Sequence, residues 1–228
     1  MGETALTIIE DQIESAQTTI ITLAVDELVD NLATLPIPGT GLRVMEQPIR
    51  GAIEREIDQK IEPELRAHTD AHLAYIEAAA SGEGAAAALP AHEEELMETN
   101  PLWTMLEGDE EITSAVREEL LQHSRESAAI FAGWVEEADG REFNDFVELA
   151  QFLGTGGEEM ADILGDLLYY IDLLGRYRDH LNPGVYHRVL ARDRVKEWFL
   201  DQLITGLEDG RAAVTDHIVT AIENPERS

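Results

Sequence analysis

The chain has 228 residues, in which 47 Asp and Glu outnumber 16 Lys and Arg and give a formal net charge of −31. Such an excess repels itself in dilute buffer, whereas at molar salt the Debye length falls to about 3 Å and the repulsion nearly disappears. The absence of cysteine excludes a disulfide framework and thiolate chemistry. Nucleic acid is also disfavoured as a partner, since binding to a polyanion weakens as salt rises.

The basic residues are almost all arginine, because Lys60 and Lys196 are the two lysines of the chain. Together with the acidic surplus, this composition resembles that of proteins from salt-accumulating haloarchaea, so we expect adaptation to a high-salt cytoplasm. The N-terminal MGETALTIIEDQIE carries acids where a secretory signal needs basic residues, which favours a cytoplasmic location. The longest apolar stretch, 20–35, is interrupted by three acids and predicts no membrane span.

The first 80 residues show the periodicity of helices. Apolar residues spaced three and four apart predict one long amphipathic helix from Leu6 to Leu32. The prolines and glycines of LPIPGTG, residues 35–41, then end it. A second helix is predicted from Ile49 to Ile76, with a kink or a break at Pro63. We therefore predict an amphipathic helical hairpin over residues 1–80.

The rest of the chain reads as a linker followed by a second group of helices. An Ala- and Gly-rich stretch at 81–91 has no periodic face and predicts the linker. Residues 92–228 predict a helical bundle, since no sustained strand alternation is present. Its helices are expected at about 110–139, 142–153, 155–174 (opened by a capping box at Thr155 and Glu158) and 195–222. The predicted fold class is all-α, a long N-terminal hairpin linked to a C-terminal bundle.

The only local reversal of charge lies at residues 176–196, which we call the basic segment. Six basic and two acidic residues give it a net charge of +4 and leave −35 for the remainder. Arginines in this density can hold a phosphate, a carboxylate or an acidic protein through bidentate hydrogen bonds. Alternatively, they pair with acids of neighbouring helices. The candidate anion- or partner-binding residues are Arg176, Arg178, His187, Arg188, Arg192, Arg194 and Lys196.

Three potential metal ligands, Glu64, His68 and His72, follow one another at four-residue steps. This spacing places them on one face of a helix, as metal-binding helices require. Alternatively, the two histidines continue the apolar stripe between Leu65 and Ile76. No second ligand cluster accompanies them, so a metal site would need a complementary face from another subunit.

A second acidic pattern opens a helix in EEMADILGDLL, where Glu158, Glu159, Asp162 and Asp166 lie about one turn apart. It resembles the ExxD helix of the all-α nucleotide pyrophosphohydrolases of the MazG type, and the resemblance implies carboxylates that hold magnesium against a triphosphate. The upstream ExxE helix of that family has no counterpart, since the nearest candidate, Glu136 to Asp139, runs into a helix-ending glycine. Acids in a first helical turn also complement the helix dipole without any catalytic role.

Two functional hypotheses follow from these patterns. The leading one is a non-enzymatic interaction or assembly protein without a cofactor, whose hairpin offers its apolar stripe to a second copy or to another helical protein. The alternative is a binder or magnesium-dependent hydrolase of a phosphorylated small molecule, acting through the basic segment. A peripheral membrane protein is disfavoured, because the polar helix faces are acidic rather than basic.

Overall fold

The computed structural model describes residues 2–34, 51, 55, 59–60, 62–81 and 89–223, without the side chains of residues 33–34, 62, 161 and 164–167. This part of the chain is helical almost throughout, which confirms the predicted all-α class. Its nine α-helices, numbered in chain order, are α1 (Ala5–Asp30), α2 (Glu62–Ala80), α3 (Leu89–Thr99), α4 (Pro101–Met105), α5 (Glu110–Ala138), α6 (Phe146–Leu153), α7 (Gly157–Leu167), α8 (Tyr170–Arg176) and α9 (Asp193–Glu223).

The ends of the long helices carry the signals that the sequence predicts. The Asp109 carboxylate accepts hydrogen bonds from the backbone N–H groups of Glu111 and Ile112, both at 3.1 Å, and so caps α5. Asp139 ends the same helix in the left-handed conformation, with φ +45°. α2 begins at Glu62 with Pro63 in its first turn, where a proline costs no helical hydrogen bond.

Two expected features lie largely outside the described residues. These are the turn at 35–41, which would close the hairpin, and the centre of the linker at 82–88. Of the linker's flanks, Ser81 is a turn residue that follows α2, and α3 begins at Leu89. The linker therefore stays a prediction.

Among the described residues, the most extensive contact between helices joins α1 to α9. Most of residues 49–61 of the predicted hairpin partner lie outside the described part of the chain. Helices α1 and α9 run antiparallel and touch through glycine: a Cβ added at Gly206 would lie 2.5 Å from Ala24 Cα, and one at Gly210 would lie 2.8 Å from Ile20 Cα. From the sequence alone, glycines at two positions within a helix would be expected to loosen it. They instead allow two backbones to approach closely.

A single buried cluster connects the two ends of the chain. Ile9, Ile13 and Ile20 of α1 belong to it together with Leu207 and Val214 of α9 and with apolar residues of α2, α5 and α7. The apolar stripe of α1, which we expected a second copy or a partner to cover, is thus covered by α9 of the same chain. Described residues on both sides of the predicted linker therefore contribute to one core.

Three local features differ from the sequence prediction. Helices α3 and α4 were not foreseen. Glu142 and Phe143 form a two-residue strand, β2, paired antiparallel with β1 (Glu3–Thr4), so the helix expected from 142 begins only at Phe146. The helix expected over 155–174 is divided into α7 and α8, and α7 starts at Gly157, later than the predicted capping box.

No helix within the described ranges is both long and apolar enough to cross a membrane. The long helices α1, α5 and α9 are amphipathic, with acids distributed along their exposed faces.

Candidate functional site

The centre of the basic segment is fixed to the helical core by backbone hydrogen bonds. The Asn182 N–H donates to the Met105 carbonyl at 2.7 Å, and the His180 carbonyl accepts from the Glu107 N–H at 2.6 Å. Leu181 is fully buried. The segment is therefore a held connection rather than a loose loop.

Tyr186 gives the segment a second anchor. Its ring is buried, and its hydroxyl donates to the Glu64 carboxylate of α2 at 2.8 Å. Burial and this hydrogen bond raise the pKa of Tyr186 well above its ordinary value. The phenol stays neutral and keeps donating, so the following residues project from a fixed point.

Two of the six cations of the segment are paired inside the fold. Arg176 forms an ion pair with Glu119 of α5 and lies over the ring of Tyr169. Arg178 pairs with Asp201 at 2.6 Å and donates to the Glu197 carbonyl at 3.3 Å. For Arg176 and Arg178, the structural interpretation of the charge reversal is therefore correct.

The other four cations have a different environment. Arg188, Arg192 and Arg194 are exposed and Lys196 is partly exposed, and none of the four forms an ion pair or a side-chain hydrogen bond with the described part of the chain. His187 is also exposed. In a chain with 47 acidic residues, four cations without acidic partners stand out, because internal pairing is readily available.

Exposed apolar side chains accompany these cations. Val185 is 50% exposed and Val189 is 41% exposed, and Leu23 is the one other large hydrophobic residue within the described ranges that reaches this level of exposure. The two valines flank Arg188 in sequence. The surface formed by Val185, His187, Arg188, Val189, Arg192, Arg194 and Lys196, which we call the docking surface, thus combines positive charge with apolar area.

A polar cavity borders the docking surface. It encloses about 510 Å³ of empty space, including the part open to solvent. Two cations line it, Lys196 and Arg178, of which Arg178 is the one paired with Asp201. Three carboxylates line it as well, those of Asp179, Asp193 and Glu197. They give the lining a negative balance, which opposes a phosphate.

The predicted metal ligands of α2 lie near a second cavity but bind different partners. Glu64 accepts the Tyr186 hydroxyl, His68 Nδ1 lies 3.2 Å from Thr99 Oγ1, and His72 Nε2 lies 3.3 Å from Ser127 Oγ. Among the described residues, no group of three or more His, Asp or Glu side chains could hold a metal ion. The structure does not bring Glu64, His68 and His72 together as ligands, because Tyr186 of the basic segment, Thr99 of α3 and Ser127 of α5 each engage one of them.

The second cavity, which we call the histidine cavity, has a polar wall built from the three helices α2, α5 and α8 and the start of α4. Its empty space is about 300 Å³. The lining residues are His68, His72, Asn100, Leu120, His123, Ser124, Ser127, Tyr169 and Tyr170. His123 stacks on Tyr169 with ring centroids 3.4 Å apart.

Both histidines of α2 are neutral at physiological pH. Burial lowers the pKa of His72 to about 3, with a smaller effect from His68, and burial lowers the pKa of His68 to about 4. His72 is 7% exposed, whereas His68 keeps partial contact with solvent. The interpretation of these residues as part of the apolar stripe therefore describes His72 well.

Three of the four carboxylates in the pyrophosphohydrolase-like pattern face solvent. Glu158, Glu159 and Asp162 are exposed on the first turns of α7. The side chain of Asp166 lies outside the described residues, so the magnesium site stays a prediction. No protein-family model matches the chain, and no curated protein or solved structure matches it either.

Sequence reasoning found the basic segment but missed the apolar half of the docking surface. Val185 and Val189 carry no periodic signal, since they lie in a connection between helices. The partners of His68 and His72 were also missed. Thr99 and Asn100, which contact His68, and Ser127, which contacts His72, come from two other parts of the chain, and no spacing rule relates them to α2.

Proposed function

We propose that this chain is a non-enzymatic helical interaction protein that binds an acidic partner protein through the docking surface. The observation that carries the proposal is a set of four cations that have no ion-pair partner in the described part of the chain and lie close in sequence to two exposed valines, although the chain has a net charge of −31. Protein interfaces join an apolar centre to a polar rim, and arginine is enriched in them. A rigid anchor behind such a surface reduces the ordering cost of binding.

A protein partner is favoured over a phosphorylated small molecule. A small anion needs a concave site where cations converge, and the cavity beside the docking surface is lined by more acids than bases. Arg188, Arg192 and Arg194 do not line it. The valines also have no role in holding a phosphate, whereas burial against a protein gives them one.

The partner we infer is a different acidic chain rather than a second copy joined by a two-fold axis. A two-fold dimer through this surface would place the same cations opposite one another. Like charges at such an interface oppose association. Self-assembly through α1 was expected because its apolar stripe needed a cover. In the folded chain α9 covers that stripe, so this reason for assembly no longer applies.

The salt regime shapes the kind of contact we expect. At molar salt, charges interact over about 3 Å, so that arginine–carboxylate contacts count only at hydrogen-bond distance. Burial of the valines is not weakened by salt. The proposed complex therefore combines direct arginine contacts with apolar burial.

Photocrosslinking tests the proposal directly. With benzoylphenylalanine in place of Val189, we expect crosslinking in the host cell to one acidic protein, detected by a discrete mass shift and mass spectrometry. The triple change Arg188→Glu, Arg192→Glu and Arg194→Glu should abolish the adduct, because it removes every arginine contact while leaving the core intact. Tm and circular dichroism verify the fold.

The matched control is the same crosslinker in place of Leu23, the exposed apolar residue of α1. It should give no such adduct. An adduct from position 189 that survives the triple charge reversal, or that forms equally from position 23, would refute the proposed surface. An adduct of twice the chain mass would identify a second copy as the partner instead.

Adaptation to salt, which is part of the proposal, has its own test. We expect Tm to rise steadily between dilute buffer and molar KCl, because screening weakens the repulsion among 47 carboxylates. Thermal unfolding followed by circular dichroism at several KCl concentrations measures it. A Tm that is constant or falls with KCl would contradict halophilic adaptation without bearing on the docking surface.

A further inference from the structure

A largely apolar cavity shares Tyr170 as a wall residue with the histidine cavity. It encloses about 680 Å³ of empty space, a figure that includes its solvent-open mouth. Its wall is formed by five helices, α1, α2, α4, α8 and α9, and by Tyr186 of the basic segment. The helical residues that line it are Ile21, Ala24, Val25, Leu65, Pro101, Leu102, Met105, Tyr170, Leu174, Phe199, Leu203 and Leu207.

The chemistry of this wall selects against charge. None of the lining residues is ionised at neutral pH, although 28% of the chain is Asp, Glu, Lys or Arg. A charged ligand buried here would lose its hydration without gaining a counter-ion. A neutral molecule meets no such penalty and gains from the burial of its apolar surface.

One lining residue has a hydrogen-bond donor to offer. The hydroxyl of Tyr186 is already bonded to Glu64. That of Tyr170 forms no hydrogen bond with the part of the chain that the structure describes, although Tyr170 contacts both cavities. Burial raises the pKa of Tyr170 to about 12, so the phenol keeps its proton.

We propose that this cavity binds a neutral, mainly apolar small molecule with one carbonyl acceptor, and that the Tyr170 hydroxyl donates to that carbonyl. The apolar body of the ligand lies among Val25, Phe199 and Leu203. The site is separate from the docking surface, so either proposal can fail without the other.

Two neutral fluorescent probes test the site on the full chain in molar KCl. Prodan is a naphthalene ketone, and N-phenylnaphthylamine is an aromatic amine of similar size without a carbonyl. We expect both to bind with enhanced emission. The anionic probe anilinonaphthalene sulfonate should bind at least tenfold more weakly, because the wall has no counter-ion.

Substitutions then locate the site. Val25→Trp and Leu203→Trp each fill the cavity from a different helix and should weaken both probes at least tenfold. Leu23→Trp on the exposed side of α1 is the matched control and should leave both affinities unchanged. Two filling variants keep the test valid if one of them fails to fold, which circular dichroism checks.

Tyr170→Phe removes the hydroxyl and leaves the apolar wall in place. A neutral hydrogen bond contributes about 1 kcal/mol, so we expect prodan to bind about fivefold more weakly and N-phenylnaphthylamine to bind as before. If neither probe binds the native chain, or if Val25→Trp and Leu203→Trp bind as tightly as Leu23→Trp, the site does not exist. An equal effect of Tyr170→Phe on both probes would overturn the role of the hydroxyl.

Discussion

Lowering the pH from 7.5 to 5 is expected to reduce the free energy of unfolding by about 3 kcal/mol through His68 and His72. Burial holds their folded pKa values at about 4 and about 3, whereas the unfolded chain binds protons near 6.5. The unfolded state therefore binds more protons below pH 6.5. Stability is complete above that value and falls as the pH approaches the folded pKa values.

Among the residues that the structure describes, no carboxylate lines the histidine cavity, so a proton on His68 or His72 would have no counter-ion there. His68 and His72 face each other with ring centroids 6.4 Å apart, and the remaining titratable groups of the cavity are His123, Tyr169 and Tyr170. None of these is an acid that could pair with an imidazolium. Between pH 6.5 and the folded pKa, each pH unit therefore lowers the free energy of unfolding by about 1.4 kcal/mol for a fully buried histidine. The loss is smaller for His68, which keeps some solvent contact.

Urea unfolding in molar KCl at several pH values measures this loss. The variant His72→Gln and the double variant His68→Gln/His72→Gln retain hydrogen-bonding groups but cannot titrate at the replaced positions. The acid-dependent loss of unfolding free energy should be smaller in the single variant and nearly absent in the double variant. His217→Gln, at an exposed position of α9, is the control and should behave like the native chain. A double variant that keeps the full pH dependence would show that other groups cause it.

Gly206→Ala and Gly210→Ala are each expected to lower the free energy of unfolding by about 1–3 kcal/mol, despite the higher helix propensity of alanine. The new methyl groups would lie 2.5 Å from Ala24 Cα and 2.8 Å from Ile20 Cα. Both contacts are with backbone atoms, which cannot turn aside as a side chain can. The helices α1 and α9 would have to separate.

Gly133→Ala in the middle of α5 is the matched control, since nothing lies within 4 Å of a Cβ at that position. It should raise the free energy of unfolding by about 0.5–1 kcal/mol, because alanine loses less backbone entropy on folding. Urea midpoints compare the three variants. If all three substitutions stabilised the chain alike, α1 and α9 would not be in close contact.

The helices that the sequence predicted well are those whose signals are local. Asp109 and Asp139 mark the ends of α5, and the apolar periodicities of α1 and α9 match their observed extents. Helices α3 and α4 were missed because LPAHEEELMET has few apolar residues and NPLWTM is too short to show a periodic face.

The candidate sites divide in the same manner. The charge reversal at 176–196 is a property of composition and could be found without coordinates. The sequence could not show which of these cations form ion pairs within the fold. Arg176 pairs with Glu119 and Arg178 with Asp201, and Glu119 of α5 comes close to Arg176 only when the chain folds. The histidine spacing indicated a shared helix face correctly but did not reveal the groups that face it.

By itself the sequence determined the helical class, the ends of the long helices and the acidic charge balance, since these depend on residues close together in the chain or on simple counts. Tertiary structure decided that α9 covers the apolar stripe of α1, that five helices line an apolar cavity, and that four cations near two exposed valines have no ion-pair partner within the described ranges. The reason is geometric. An amphipathic stripe indicates that a helix face must be buried, but not which of several similar faces will cover it. The glycines at 206 and 210 of α9 have no side chain, so α1 can pack closely against α9 there.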